Sequence, residues 1–308
     1  MDNLFDDFKN AWRKPNNALP QIIIINIVIF LALAILYVLG NVSGLGNVST
    51  FIIDQFTIPP VFSDFLMRPW TILTYAFAHS LSSIFHILFN MLVLYWFGKL
   101  IVEYLGNQKL INLYVMGALA GGVVYLLVYN LVPYYIDRSN FAGMVGASAA
   151  VYAITVAAAT LLPDYTFFLM FLGPVKIKYI AGFYLVISFI GTVGGNAGGN
   201  IAHLGGALMG YVYIRQLQSG NDWGLWISAI MRFVKSLFEK QPPIKVSHKR
   251  SKKTRSNDSS KSTPRQSTAH NIADQAEIDA ILDKISQSGY ESLTKEEKQK
   301  LFNASNKS

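Results

Sequence analysis

Six long apolar stretches dominate the first 220 residues of the chain. They cover residues 20–40, 80–101, 110–131, 142–162, 178–195 and 200–217. A helix needs roughly 20 mainly apolar residues to cross the hydrocarbon core of a bilayer, so each stretch predicts a transmembrane helix, the last two being short and rich in glycine. The pattern predicts an all-α membrane protein, with a six-helix membrane domain over residues 20–219.

Lysine and arginine in the short loops orient such a bundle, because they concentrate on the cytoplasmic side. With a cytoplasmic N-terminus, the inner segments hold Lys9, Arg13, Lys14, Lys99, Lys109, Lys176 and Lys178, and the outer segments hold Arg68 and Arg138. This asymmetry predicts that both termini are cytoplasmic, which requires an even number of spans. Residues 41–69 then form a long outer loop. This loop either lies in the outer leaflet or is an ordinary folded loop.

Charged residues are scarce inside these stretches and dense in the C-terminal tail. The sequence is 52% hydrophobic and 14% charged, with a net charge of +8, whereas soluble domains carry roughly 25% charged residues. The positive charge lies largely after residue 240, so it indicates a basic tail and not a nucleic-acid partner. Residues 1–19 mix acids and bases without a following small-residue cleavage site, so we expect a cytoplasmic segment and not a cleaved signal peptide.

Residues 220–240 predict an amphipathic helix on the inner membrane surface. Large apolar side chains recur there at helical spacing beside basic ones, as in interfacial helices. The apolar set is Trp223, Trp226, Ile227, Ile230, Phe233, Val234, Leu237 and Phe238, and the basic set is Arg232, Lys235 and Lys240. The alternative is a helix packed on another protein surface.

The C-terminal tail has two parts. Residues 241–271 are basic and rich in serine and threonine, which predicts a disordered linker that either binds anionic lipid or is simply solvated. Residues 272–308 predict a small helical hairpin, in which Gly289 ends the first helix and Thr294 and Glu297 form a capping box at the second. The apolar stripe of the first helix is Ile278, Ile281, Leu282 and Ile285.

Four polar side chains inside the apolar stretches are candidates for chemistry, because ionisable groups at membrane depth are costly. His86 and Asn90 are four residues apart, on one helix face, in the second stretch. Ser148 lies near the start of the fourth stretch and His203 near the start of the sixth. In the predicted topology these three helices all begin at the outer face, so the four side chains lie on the order of 5–10 Å below it.

A serine beside a histidine base is the minimal apparatus for acyl transfer, because the base removes the hydroxyl proton during attack. The oxyanion that forms needs fixed donors, for which Asn90, His86 and the backbone N–H of Ser148 are candidates. No buried carboxylate is placed to complete a triad, so a Ser148–His203 dyad is expected. The sequence has no cysteine, no H-E-x-x-H motif and no pair of intramembrane aspartates, so neither a metal nor another cofactor is expected.

These motifs resemble those of the rhomboid family of intramembrane serine proteases over roughly residues 65–215. The family carries H-x-x-x-N in the second span, G-x-S-G at the head of the fourth, and a histidine followed by small residues in the sixth. Here the motifs are His86 to Asn90, Gly146-Ala147-Ser148-Ala149, and His203 with Gly206 and Gly210. The C-terminal hairpin resembles a module found behind rhomboid domains in Bacteroidetes-type bacteria.

The resemblance implies specific roles. Ser148 attacks, His203 is the base, and His86 and Asn90 help to form the oxyanion hole. Tyr152 packs under the histidine ring, and Gly146 belongs to the serine motif. Of the further positions, His79 is an accessory histidine or an interfacial residue without chemistry, and Gly206 and Gly210 let the sixth span approach the fourth. The implied substrates are single-span membrane proteins cut near the outer face of a bacterial inner membrane.

One residue of the serine motif departs from the family pattern. Ala149 stands where glycine is usual, and its methyl group either narrows the pocket or shifts the serine; the change is small and activity is still expected. The alternative is a catalytically weak or inactive relative that binds transmembrane clients. A small-molecule transporter is less consistent, because no internal repeat is evident and the polar groups lie near one face.

Overall fold

The computed structural model describes residues 17–137, 143–169, 173–238 and 268–305, together with Lys14. They belong to two compact units, Met1–Pro242 and Pro243–Ser308. Most of the predicted N-terminal segment, the loop position Arg138, Lys240 and the basic linker up to residue 267 lie outside the described residues.

The first unit is built almost entirely from helices. In chain order they are α1 (Ala18–Val42), α2 (Gly46–Asp54), α3 (Phe62–Met67), α4 (Thr71–Thr74), α5 (Ile84–Leu105), α6 (Asn107–Leu131), α7 (Pro133–Ile136), α8 (Ser148–Leu161), α9 (Ile177–Gly191), α10 (Ala197–Gln218) and α11 (Leu225–Phe238). Each apolar stretch therefore contains one long helix. Within the described residues, α1, α5 and α6 are long and apolar enough to cross a membrane.

Helix α1 shows how the apolar surface is used. Leu31, Ile35 and Leu39 follow one another at helical spacing, and each is more than half exposed. A helix that is apolar on its outward face as well as its inward face is typical of a membrane span, because lipid and not water surrounds it.

Helix α8 begins at Ser148, six residues later than the sequence pattern predicts. The preceding residues are not helical: Met144 exchanges two backbone hydrogen bonds with Ile58, and the Gly146 N–H donates to the Tyr75 carbonyl at 3.0 Å. Gly146 has φ 138°, a conformation that favours glycine. These long-range contacts leave Ser148 at the first turn of the helix.

Helix α8 lies at the centre of the unit, packed against α5, α6, α9 and α10. Its buried positions are mostly alanine, including Ala149, Ala150, Ala153, Ala157 and Ala158. Gly206 and Gly210 of α10 lie against the carbonyl oxygens of Ala149 and Ala153. Small residues on both helices therefore bring the two backbones together.

The segment before α5 is ordered by polar contacts. The Arg68 guanidinium pairs with the Asp54 carboxylate at 3.4 Å, and the Thr74 hydroxyl donates to the Gln55 carbonyl at 2.7 Å. Phe51 and Met67 remain 67% and 77% exposed. The outer loop predicted from sequence is thus a folded segment with an apolar surface.

A short antiparallel hairpin between α8 and α9 corrects the expectation of a purely helical chain. Strand β1 (Thr166–Leu169) pairs with β2 (Gly173–Lys176), Thr166 opposite Lys176. Aromatic and β-branched residues favour the extended conformation, and Phe167 packs on Phe97 of α5 with ring centroids 5.2 Å apart.

Helix α11 follows α10 and contacts α6. Its Ile227 is buried, whereas Trp226, Phe233 and Leu237 are exposed. Asp222, just before the helix, pairs with Lys109 of α6 and accepts a hydrogen bond from the Tyr213 hydroxyl at 3.0 Å. The start of α11 is therefore tied to the ends of two long helices, and most of its apolar surface is left open.

The second unit contains α12 (Thr268–Ser288) and α13 (Lys295–Ser305). Helix α12 ends before Gly289, which has φ 77°. The predicted capping box is confirmed: the Thr294 N–H donates to the Glu297 carboxylate at 2.7 Å, and the Glu297 N–H donates to the Thr294 hydroxyl at 3.3 Å. Among the side chains described in this unit, Ile281 and Leu293 are the buried apolar ones.

Candidate active site

Ser148 and His203 form a hydrogen-bonded pair. Ser148 is the first residue of α8 and His203 lies in the second turn of α10. The Ser148 Oγ is 2.8 Å from the His203 Nε2. The close approach of α8 and α10 at the Gly206 contact sets this distance, since one helix carries the hydroxyl and the other the ring.

The Tyr152 ring lies one helical turn after Ser148 and stacks on the His203 ring. The two ring centroids are 4.2 Å apart and the planes differ by 10°. Residues four apart on a helix share a face, so the same side of α8 presents the hydroxyl and the ring. The stack restricts rotation of His203 and leaves Nε2 directed at Ser148.

His86 lies beside Ser148 in a defined orientation. Its Nδ1 accepts a hydrogen bond from the Ser80 backbone N–H at 3.3 Å. In a neutral imidazole an accepting nitrogen carries no proton, so the Nε2 of His86 carries the hydrogen. A Cβ atom placed on Gly146 would lie 3.1 Å from this Nε2 and 3.4 Å from the Ser148 Oγ. The glycine thus leaves room between a donor and the hydroxyl.

Asn90 is buried one turn beyond His86. Its Nδ2 donates one hydrogen bond to the His86 carbonyl at 2.8 Å, which leaves its second amide hydrogen for another acceptor. Asn90, His86, Ser148, Tyr152 and His203 line one cavity of about 350 Å³. The structure therefore brings five of the nine predicted site residues to one opening.

His79 is not part of that opening. Its ring lies edge-on to His86, with centroids 5.3 Å apart, and it is 3% exposed. Neither of its ring nitrogens has a hydrogen-bond partner among the described residues. His79 packs behind His86 and does not line the cavity, whereas Gly146, Gly206 and Gly210 shape the site through backbone contacts.

Sequence reasoning missed Ser188, a buried serine of α9. Its Oγ lies 3.1 Å from the Nδ1 of His203 and donates a hydrogen bond to the Tyr152 hydroxyl at 2.8 Å. The His203 ring therefore has a hydroxyl group beside each of its nitrogens. A lone serine in an apolar helix carries little signal, because serine is common in membrane helices and the register of α9 against α10 is not visible in the sequence.

The cavity also has an apolar wall. Phe85, Phe89 and Val93 of α5 and Val151 of α8 lie beside the polar side chains. Such a mixture suits an apolar chain with a polar backbone, because apolar walls hold side chains and a few fixed donors orient a carbonyl. No cluster of metal-ligating side chains occurs in the described part of the chain.

Residues 67–219, which include all of these side chains, match the family model of the Rhomboid domain. The chain belongs to the rhomboid family. The resemblance seen in the motifs is thereby confirmed at the level of the family, and the apolar helices make the chain a membrane protein. Residues 268–307 match a second model, a family of unknown function (DUF6576).

Two curated relatives come from Arabidopsis thaliana. RHOMBOID-like protein 12, mitochondrial, is 34% identical over 163 residues, which cover 50% of this chain and 48% of the relative. Rhomboid-like protein 16, chloroplastic, is 26% identical over 166 residues, which cover 50% of each chain. The chain thus spans about half the length of these relatives.

The structure shows where the rhomboid domain accommodates its unusual residue, Ala149. The Ala149 side chain points into the space left by the missing side chain of Gly121 on α6. Ala149 is buried and does not line the cavity. Of the two effects considered for this methyl group, narrowing of the cavity does not occur in the structure, because the methyl group packs against Gly121 and lies outside the cavity.

Proposed function

We propose that this rhomboid family member is an intramembrane serine endopeptidase that cleaves transmembrane proteins through a Ser148–His203 dyad. The observation that carries the proposal is the 2.8 Å hydrogen bond between the Ser148 Oγ and the His203 Nε2 inside a mixed polar and apolar cavity. A nucleophile within reach of a base that is itself oriented by neighbours is the structural signature of covalent hydrolysis.

The first step is attack by Ser148 on the scissile carbonyl carbon. As the Oγ–C bond forms, the hydroxyl proton moves to His203 Nε2 and the carbonyl electrons move to the oxygen. The products of the step are a tetrahedral oxyanion and a protonated His203. The stacked Tyr152 ring holds the imidazole in place throughout, with centroids 4.2 Å apart.

The oxyanion needs donors that are in place before it forms. The space beside Gly146 supports His86 Nε2–H as an oxyanion donor. The Cβ position of this glycine is 3.1 Å from the His86 Nε2 and 3.4 Å from the Ser148 Oγ, so an oxygen atom there would contact both residues. The Ser148 backbone N–H, at the start of α8, is a second proposed donor. Asn90 is the third, through the amide hydrogen that does not bind the His86 carbonyl.

Collapse of the intermediate breaks the peptide C–N bond. The leaving amine takes the proton from His203 Nε2, and the acyl group remains on Ser148 as an ester. A water molecule then gives a proton to His203 and attacks the ester carbon. Ser148 leaves as the hydroxyl, with that proton, and the new carboxyl terminus is released.

We further propose six membrane spans, with both termini on the cytoplasmic side of a bacterial inner membrane and the cavity near the outer face. The asymmetry of lysine and arginine supports this orientation. The sequence has no cysteine, so single cysteines report sidedness directly. In intact cells a membrane-impermeant maleimide should label Asn47→Cys and not Ser219→Cys; the reverse pattern would overturn the topology.

The catalytic proposal is tested with purified full-length protein in detergent and a single-span membrane substrate. Wild type should cleave the substrate and react with a fluorophosphonate probe, whereas Ser148→Ala and His203→Ala should do neither. Ser228→Ala, which removes a buried hydroxyl from α11, is the matched control and should behave as wild type. Cleavage by Ser148→Ala would rule out the mechanism. If wild type binds the substrate but neither cleaves it nor reacts with the probe, the alternative of an inactive relative that binds transmembrane clients would be favoured.

A further inference from the structure

Ser188 contacts His203 on the side of the ring opposite the nucleophile. Its Oγ is 3.1 Å from His203 Nδ1, while the Ser148 Oγ is 2.8 Å from His203 Nε2. Ser188 comes from α9, so three helices meet at one imidazole. A hydroxyl on this second nitrogen occupies the place that a buried carboxylate takes in a triad.

The position of Ser188 is unusual for its helix. The neighbouring Val186, Ile187, Phe189 and Ile190 are all at least half exposed, whereas Ser188 is fully buried. Between Ala181 and the C-terminal end of α9, Ser188 is the only buried residue. This part of α9 therefore buries a polar side chain against the bundle. An apolar side chain would serve as well if packing were its only role.

The hydrogen atoms in this cluster can be counted. The Ser188 hydroxyl hydrogen is directed to the Tyr152 hydroxyl oxygen, at 2.8 Å. The Ser188 oxygen is therefore free to accept a hydrogen bond, and its other hydrogen-bond neighbour in the described part of the chain is His203, which can donate to it from Nδ1–H. A neutral imidazole with hydrogen on Nδ1 has a free lone pair on Nε2. That tautomer is the one in which Nε2 accepts the proton of Ser148.

We propose that Ser188 is a positioning residue that selects the productive tautomer of His203. The chain of donors runs from His203 Nδ1–H to the Ser188 oxygen, and from the Ser188 hydroxyl to the Tyr152 oxygen. Without Ser188 the Nδ1 hydrogen has no acceptor, and the other tautomer, which donates from Nε2 to Ser148, becomes competitive. In that tautomer His203 holds the serine and cannot deprotonate it.

This inference rests on the proposed protease function for its kinetic consequence, but the tautomer itself is measurable without catalysis. Full-length protein labelled with ¹⁵N-histidine distinguishes protonated from unprotonated ring nitrogens by chemical shift, and the His203→Gln spectrum identifies the His203 signals. In wild type we expect a protonated Nδ1 and an unprotonated Nε2. In Ser188→Ala we expect a new population with the hydrogen on Nε2.

Kinetics provide the second readout. Ser188→Ala should lower kcat about tenfold, which corresponds to about 1.4 kcal/mol, with KM changed less than about twofold, because Ser188 does not line the cavity. Thr and Val have the same shape but only Thr keeps a hydroxyl, so Ser188→Thr should retain about tenfold more activity than Ser188→Val. Thr155→Val serves as the control, because it removes from α8 a buried hydroxyl that has no hydrogen-bond partner among the described residues.

The outcomes separate the two proposals. An unchanged His203 tautomer in Ser188→Ala, or equal activity of the Thr and Val variants while Ser148→Ala is inactive, would overturn the role of Ser188 and leave the protease intact. A wild type that never cleaves would overturn the protease proposal. The change of tautomer in Ser188→Ala would still support the positioning role in that case.

Discussion

Gly206 of α10 lies directly against the backbone carbonyl of Ala149, the residue after the candidate nucleophile. A Cβ atom at Gly206 would overlap that oxygen. Because Ser148 and His203 are each one turn or less from this contact, the approach of the two backbones determines the distance between the Ser148 hydroxyl and the His203 ring. The helix contact and the candidate chemistry are therefore one structural feature.

We expect Gly206→Ala to impair both stability and activity. The added methyl group must push α10 away from α8, and overpacking of this kind typically costs about 1–3 kcal/mol. A displacement of less than 1 Å lengthens the 2.8 Å hydrogen bond between Ser148 and His203, so cleavage should fall at least about tenfold. Thermal unfolding and cleavage rate in detergent measure the two effects.

Gly182→Ala on α9 is the matched control, since no atom of the described residues lies within 4 Å of the new Cβ atom. Alanine favours a helix over glycine by about 1 kcal/mol, so this variant should be as stable as wild type or more stable, with normal cleavage. Normal cleavage by Gly206→Ala as well would show that the helix contact does not set the dyad.

Ala149→Gly tests whether the unusual alanine matters to the site. Its methyl group fills the space beside Gly121 and is outside the cavity, so the variant should keep kcat within about threefold while losing roughly 1 kcal/mol of stability for a buried methyl group. Gly121→Ala should be more damaging, because its Cβ would also lie 2.9 Å from the Ala202 carbonyl. A large rise in kcat for Ala149→Gly would contradict this prediction, because it would mean that the methyl group obstructs the cavity.

The sequence predicted the long helices well, because about 20 apolar residues have few other stable arrangements than a membrane helix. It also singled out Ser148, His203, His86 and Asn90, since polar groups within apolar stretches are conspicuous. The structure then adds the distances that join them. Roles in catalysis stay predictions until the variants are measured.

Features that depend on contacts between distant segments were not predictable. Helix α8 starts late because Met144 pairs with Ile58, 86 residues earlier in the chain. Ser188 meets His203 only through the register of α9 against α10. In the same way, the sequence alone does not show that Gly121 stands opposite Ala149. Each of these pairs lies far apart in sequence, beyond the reach of local patterns.

His86 and His79 are expected to differ sharply when each is replaced by phenylalanine. His86 Nε2–H faces the gap beside Ser148, and the loss of one oxyanion donor typically lowers kcat about 10²- to 10³-fold. His79 is buried with both ring nitrogens unbonded among the described residues, and an apolar ring of similar shape removes that unfavourable burial. We expect His79→Phe to be at least as stable as wild type and to keep most of its activity.

Cleavage rates and melting temperatures of His86→Phe and His79→Phe, measured side by side, test whether the two histidines have different roles. Equal losses of kcat would mean that the two histidines act together, and that the position of His79 behind His86 does not separate their roles.

Asp222 should make the anchoring of α11 sensitive to acid. Burial opposes its ionised form, but the hydrogen bonds from Lys109, the Gly224 N–H and the Tyr213 hydroxyl outweigh that effect and hold the pKa of Asp222 below its ordinary value of 3.8. A carboxyl group whose pKa is lowered by folding stabilises the fold fully above its unfolded pKa. That stabilisation is lost as the pH falls through the lower, folded value.

We therefore expect the melting temperature of wild type to fall more steeply than that of Asp222→Asn between pH 5 and about pH 3. At neutral pH the variant should be the less stable protein, because Lys109 loses its anionic partner and the Tyr213 hydroxyl binds a neutral acceptor. The two melting curves should converge in acid. Parallel curves for wild type and Asp222→Asn would assign the acid sensitivity to other carboxylates and leave α11 anchored by its apolar contacts alone.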